Sequence, residues 1–399
     1  MKAVKLDLLI IGGGIAGLWC LNRAVQQGYS VLLLENKTLG GGQTICSQGI
    51  IHGGAKYSLS GNLSSATQSI SAMPERWYQA LQGDGEIDLR QTQVLSDTHY
   101  LWSINKLTSK VTAFFASKAM KNKARKVQPG DYPEAFAHSD FKGNLYALNE
   151  RVVDVPSLIA NLCQPHWNRI LKLDLLKEGK FFTSSKGQID AIELPEQQLR
   201  LEPQRVLFSC GEAYNAFKDK LGLDQISMQK RPLHMVMVQH DNGPALFAHA
   251  IGASSKPLMT VTSHTNDKGK TVWYVGGLIA EDGVAQDPDT LIADARQKVS
   301  EYLPWIKLKQ AKWGCYRINR AEPEINGQLR PDASFLKQQG NCLIAWPTKL
   351  ALAPQLSDLL LEALSQLTHR DDLDLSVSED INKPAISAPI WESQAEYWS

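Results

Sequence analysis

An α/β fold built from two sheets, one parallel and flanked by helices, the other antiparallel and inserted into it, is what this sequence predicts. Three observations carry the prediction. Leu6–Ile11, a short apolar run of strand type, leads straight into Gly12-Gly13-Gly14-Ile15-Ala16-Gly17 and a helical stretch, Leu18–Gln27. Buried-type strands return far downstream at Arg205–Cys210 and Cys342–Trp346. Between these returns, strand-like runs alternate with polar breaks at Thr98–Ile104, Met235–Gln239, Leu258–Ser263 and Thr271–Val275. Continuous apolar runs suit a sheet covered on both faces, and interrupted runs suit an antiparallel sheet.

The glycines match GxGxxG at Gly12, Gly14 and Gly17. In that pattern the first glycine makes the tight turn, the second lets a pyrophosphate approach the backbone, and the third lets helix and strand pack closely. The helix N-terminus then offers free N–H groups and a positive dipole end to phosphates. A second strand, Ser30–Leu34, ends in Glu35, 23 positions after Gly12, placed to accept hydrogen bonds from a ribose diol. Strand, glycines, helix, strand and acid in this order predict a Rossmann-like dinucleotide site.

The remaining elements point to one long cofactor. No second GxGxxG occurs, since Gly276-Gly277 continues into Leu-Ile-Ala-Glu, and no CxxxxC redox pair is present. Arg205–Cys210 closes on Gly211, a late return to the nucleotide sheet. Cys342–Trp346 is followed by Pro347-Thr348-Lys349-Leu350 and a helix from about Pro354 to Leu367. Val155–Leu162 reads as a helix, and 169–174 and 188–193 as strands. The expected organisation is a discontinuous nucleotide domain (1–90, 151–226 and 321–370), a substrate domain (91–150 and 227–320) and a C-terminal tail (371–399) that forms an ordered strap.

Bulk properties exclude several classes. The chain has 399 residues, 43% hydrophobic and 21% charged, with net charge +1, which gives no basis for a nucleic-acid partner. A basic cluster, Lys118, Lys121, Lys123, Arg125 and Lys126, after a helix at about 108–120 reads as a solvated helix end. The six cysteines are scattered without a CxxC, as expected of free thiols in a reducing compartment. The N-terminal apolar run is broken by glycines, unlike a signal peptide, and no run reaches the ~18 apolar residues of a membrane span. A cytoplasmic protein is expected.

With these residues in place the chain resembles the D-amino-acid oxidase superfamily of flavoproteins, nearest its glycerol-3-phosphate dehydrogenase and L-2-hydroxyglutarate oxidase branches. The resemblance rests on Gly12–Gly17, Glu35, the run Ser47-Gln48-Gly49-Ile50-Ile51-His52-Gly53-Gly54-Ala55-Lys56-Tyr57, Gly211, Arg330-Pro331 and Lys349-Leu350. It implies a Rossmann-like FAD-binding domain with an inserted antiparallel β-sheet substrate domain. It implies FAD as cofactor, held by Gly12, Gly14, Ile15, Ala16, Gly17, Glu35, Asn36, Gln43, Thr44, Ser47, Gln48, Gly49, Ile50, Gly211, Arg330, Lys349 and Leu350. The segment after the second strand would run beneath the pyrophosphate, and Gly49–His52 would pass beside the ring, where small residues let the backbone lie flat.

The implied activity is oxidation of a C–H bond beside a hydroxyl or amine of a small, anionic substrate, by hydride transfer to flavin N5, with oxygen or a quinone as candidate acceptors. His52, Lys56, His234 and Arg317 are the candidate catalytic residues. His52 has three readings: a packed structural histidine, a hydrogen-bonding neighbour that tunes the flavin, or a covalent tether. Lys56 stands where glycerol-phosphate relatives carry arginine, a change that keeps charge but loses the bidentate fork. Arg317, then Arg330, are expected substrate-anion or flavin-O2 partners, each alternatively a rim salt bridge. His234 and His264 are candidate bases or packed histidines. Lys349 would lie near flavin N1 and O2. A flavoprotein monooxygenase, or a non-catalytic flavin-binding or RNA-modification partner, are the competing functions.

Overall fold

The computed structural model describes residues 1–54, 70–103, 124–241, 243–252, 256–325, 331, 333–369, 373–393 and 398. Its first unit is β1 (Lys2–Ile11), α1 (Ile15–Gln26) and β2 (Val31–Glu35). β1 is central, pairing in parallel with β2 on one side and with strand Leu199–Phe208 on the other. Leu6 and Leu8–Ile11 are all buried, because the sheet is covered on both faces. Outward from β2 lies Ile170–Lys172. Outward from Leu199–Phe208 lie Cys342–Trp346, parallel, and Phe335–Gln339, antiparallel, and the hairpin Lys180–Ser185/Gln188–Leu194 joins the same strand to complete eight.

Helix α1 packs one face of this sheet through Leu18, Trp19, Leu21 and Ala24, with Val155–Cys163 and Ala353–Leu364 beside it. Asp154 caps the first of these two, accepting from Ser157 N–H at 2.8 Å, the signature that ends the preceding turn. Three boundaries extend beyond the periodicity: β1 begins at Lys2, α1 at Ile15 and the downstream strand at Leu199. In the two strands, pairing of Lys2 with Leu199 carries polar residues that propensity alone leaves out. The stretch read as a helix at 108–120 lies outside the described residues; of the basic cluster, Arg125 and Lys126 are described, in the strand Ala124–Lys126.

The second sheet also has eight strands, in the order Lys312–Pro323, Met228–His240, Thr271–Gly276, Met259–Thr265, Ala248–Ile251, His99–Ser103, Leu145–Leu148 and Ala124–Lys126. All its pairings are antiparallel except Ala248–Ile251 with His99–Ser103. Alternation along Met228–His240 sorts its faces. Val236 and Val238 pack with Leu291, Ala295 and Val299 of helix Pro288–Tyr302, while Met235 and Met237 join Tyr274, Tyr316 and Trp391 on the other side.

The chain's end crosses between the sheets. Ala385 O and Ser387 N–H bond the backbone of Leu39, and Asn382 O accepts from Lys172 N–H. Trp391 is buried against His264 and Tyr274. Aromatic burial of this size explains why a polar, proline-bearing tail is held down.

Candidate functional site

Between the two sheets lies a cavity of about 1030 Å³, running from Glu35, Asn36 and Lys37 past Gly12, Gly14 and Ile15 to His52, Thr260, Gly276, Tyr316 and Leu350. Of the expected cofactor contacts, Gly12, Gly14, Ile15, Ala16, Glu35, Asn36, Gln43, Thr44, Ser47, Gln48, Gly49, Ile50, Gly211, Lys349 and Leu350 line it. Gly17 does not. A Cβ there would sit 2.0 Å from Gly12 O, so this glycine serves the contact between α1 and β1 and stands behind the wall. Arg330 and Lys56 lie outside the described residues.

The phosphate end is assembled from three segments. Gly12 turns the chain at φ +110°, and Gly14 precedes α1 without a side-chain cap of its own. The cap comes from the following loop, where Thr44 Oγ1 accepts from Ile15 N–H at 3.1 Å. Glu35 accepts from Gly13 N–H and Lys37 N–H, both at 2.8 Å, one on each carboxylate oxygen. Each oxygen keeps acceptor capacity for a diol.

Two expected cofactor contacts prove to have protein partners. Gln43 Oε1 accepts from Ala321 N–H at 3.1 Å, and Gln48 Nε2 donates to Tyr274 O at 2.8 Å and Thr260 O at 3.2 Å. Both amides therefore tie the loop to the second sheet while bordering the cavity. Gly49, at φ +68°, has its backbone against Val153, where a Cβ would meet Val153 O at 2.1 Å. Val153 N–H donates to Gly49 O and Ile51 N–H to Arg151 O, so residues 49–51 are zipped to 151–153.

That pairing places Glu150 beside His52. His52 lines the cavity, and its Nδ1 lies 3.1 Å from Glu150 Oε2, while Gly53 N–H donates to Oε1 at 2.9 Å. Behind them the His249 ring lies near-parallel to His52 at 5.9 Å and to His99 at 4.2 Å, and His249 Nδ1 meets Thr260 Oγ1 at 2.8 Å.

Two candidate catalytic side chains are engaged by backbone carbonyls. His234 shares the face of Val236 and Val238, so it points to the helix layer. Its Nδ1 meets Gly283 O at 3.0 Å, it does not line the cavity, and burial pushes its pKa down. Arg317 borders the cavity, but its guanidinium donates to Val284 O and Gln286 O at 2.7 and 2.6 Å, so its fork is occupied by backbone. His264 is buried too, with Nε2 3.0 Å from Thr262 Oγ1 and its pKa pushed down to about 3, which suits packing and not proton exchange.

The sequence reading missed part of the wall. Arg231 makes a bidentate pair with Glu322 at 2.5 and 2.8 Å, and Lys256 bonds Glu281 at 2.6 Å. Gly276 and Gly277, noted only as a failed motif, border the ring end, as do Thr260 and Tyr316. Ser387, Ala388 and Ile390 of the terminal strap close one side. At Thr348 the backbone takes φ +61°, a costly conformation for a β-branched residue, between Pro347 and Lys349 on the wall.

The residues present fit FAD. The cavity is elongated, a glycine turn and helix N-terminus face its middle, a carboxylate stands at one end, and Ser47 Oγ, buried on the wall, has no protein partner among the described residues. Among the described residues no helix is long and apolar enough to cross a membrane.

Comparisons agree with this geometry. Residues 7–164 match the family model for FAD dependent oxidoreductases, DAO. A probable FAD-dependent oxidoreductase of Pseudomonas aeruginosa is 44% identical over 98% of both chains. The crystal structure of the Pseudomonas aeruginosa FAD dependent oxidoreductase superposes with TM-score 0.84, at 38% identity over 98% of this chain and 99% of that one. L-alpha-glycerophosphate oxidase from Mycoplasma pneumoniae with FAD bound shares the fold at TM-score 0.64 and 11% identity, over 93% and 97% of the two chains. Glycine oxidase from Geobacillus kaustophilus does so at TM-score 0.62 and 14% identity, over 94% and 97%. The cofactor is FAD.

Proposed function

The chain belongs to the DAO family of FAD-dependent oxidoreductases, and from that premise we propose that it oxidises the C–H bond beside a hydroxyl or amine of a small, anionic molecule, with hydride passing to the flavin. The observation that carries the reading is the single cavity joining the Glu35–Gly12 end to the His52–Thr260 end. Bound FAD supplies the electron-pair acceptor. The chain's own residues supply alignment, water exclusion and proton handling.

His52 is the base of this reading, taking the hydroxyl or amine proton as the C–H bond breaks. The apolar face of Met235, Tyr316 and Leu233 limits water at that end. The anionic part of the reading rests on Lys256 and Arg320 on the wall. Lys256, exposed on the wall, is held by Glu281, so an incoming carboxylate or phosphate would compete with that pair. The domain division at 91–150 and 227–320 belongs to the same proposal: the second sheet roofs the flavin ring and sets substrate choice.

Anaerobic addition of 2-hydroxy acids, amino acids and glycerol phosphate to the yellow holoenzyme tests this. Bleaching of the yellow flavin colour by one class, on the order of seconds to minutes, is the expected result. Bleaching by NAD(P)H alone would overturn it in favour of a monooxygenase.

A further inference from the structure

Glu150 is nearly fully buried, with 3% of its side chain exposed, yet it touches the loop that borders the cavity. A buried carboxylate must be compensated by donors. Its two oxygens meet two groups of one loop: Gly53 N–H at 2.9 Å and His52 Nδ1 at 3.1 Å. The zipped backbone of 49–51 against 151–153 fixes that meeting, so the pair does not depend on flexible side chains alone. An ionised carboxylate accepts only, so Nδ1 beside it must carry hydrogen; the opposite tautomer would set two lone pairs against each other.

We propose that Glu150 is a positioning residue that holds His52 as the Nδ1–H tautomer, leaving the Nε2 lone pair to receive the substrate proton. This rests on the reading of His52 as the base. Bound FAD would take the hydrogen of that C–H bond together with its electron pair, as hydride, and the O–H or N–H proton would pass to His52 Nε2. Glu150 stays ionised and stabilises the imidazolium. Among the described residues the flanking titratable side chains include His249, stacked near His52, with His99 behind it.

The nearest rival for these atoms is a cation, because His52, Glu150 and His249 place ligand atoms within 4.8 Å of one another. The test separates the two without needing a substrate. Long-range proton–nitrogen NMR of histidine-labelled holoenzyme reports the tautomer of His52, assigned by its loss in His52→Gln. The expected wild-type signal is Nδ1–H, and Glu150→Gln, which keeps the shape and the Gly53 acceptor, is expected to invert it to Nε2–H through its amide donor.

A wild-type Nε2–H signal overturns the proposal even if the variant fails to fold. So does an unchanged tautomer in Glu150→Gln, or one equivalent of divalent metal measured in the purified holoenzyme. Failure of the bleaching screen would strike the proposed activity and leave the NMR result standing. Where a bleaching substrate is found, Glu150→Gln should slow flavin reduction by on the order of 10²-fold or more while FAD content stays at the wild-type level.

Discussion

Gly17→Ala puts the packing of α1 on β1 to a sharp test. The added Cβ would lie 2.0 Å from Gly12 O and 2.9 Å from Ser209 Oγ. The serine can rotate, but the carbonyl belongs to the turn itself, and contacts under about 3 Å must be relieved by moving the helix start by roughly 1 Å. Overpacking of this kind costs about 1–3 kcal/mol. Moving the helix start also withdraws the N–H groups and dipole end aimed at the pyrophosphate, so FAD affinity should fall about tenfold or more, the equivalent of 1.4 kcal/mol. The assay is the ratio of flavin to protein absorbance after dialysis, with melting curves with and without added FAD. Gly14→Ala is the control: its Cβ would meet only Thr44 Oγ1, at 3.1 Å, at ordinary φ, and should lose far less stability. Wild-type flavin content and melting temperature in Gly17→Ala would refute the packing argument.

Other consequences follow from the same structure. Glu322→Gln breaks the bidentate pair with Arg231, whose side chain is 22% exposed, and should cost about 1–3 kcal/mol by thermal or urea unfolding, with less cost in high salt if solvent screens more than the geometry implies. His264 is buried neutral, so the unfolded chain binds its proton first: stability should fall with decreasing pH below about 6.5, by roughly 1.4 kcal/mol per unit, and His264→Gln should flatten that limb. Removing residues 385–399 uncovers Leu39 and Tyr274 and takes Ser387, Ala388 and Ile390 from the cavity wall; lower FAD retention and new binding of an apolar dye are expected.

The nucleotide half was legible because its signals are local. Strand, glycine turn, helix and Glu35 lie within one short stretch, and each residue's role follows from its place in that unit. The loop from Gln43 to His52 was legible only in part. Small residues announce close approach, but nothing in the chain near Gln48 foretells that its amide bonds Tyr274 O, 226 positions away.

The substrate side was harder for the same reason. His234 and Arg317 look alike to a reader of sequence whichever face they occupy; the register of Met228–His240 against Lys312–Pro323 pairs them, and the structure takes His234 off the cavity wall while Arg317 stays at its border with its guanidinium on Val284 O and Gln286 O. Glu150 gave no signal at all: it becomes a partner of His52 through backbone pairing of two loops. Arg330 and Lys56 lie outside the described residues, and their expected contacts stay with the sequence reading. The glycine pair 276–277 was visible, and its failure to match a nucleotide motif hid its place at the ring end.

The central claim is that one FAD molecule occupies the whole cavity, and a crystal structure of the holoenzyme tests it most directly. The account predicts the adenosine ribose at Glu35, the pyrophosphate at the start of α1, and the isoalloxazine between the Gly49–His52 segment and the Thr348–Leu350 turn. Density for the flavin ring anywhere outside that space, or protein side chains filling it, would contradict the account.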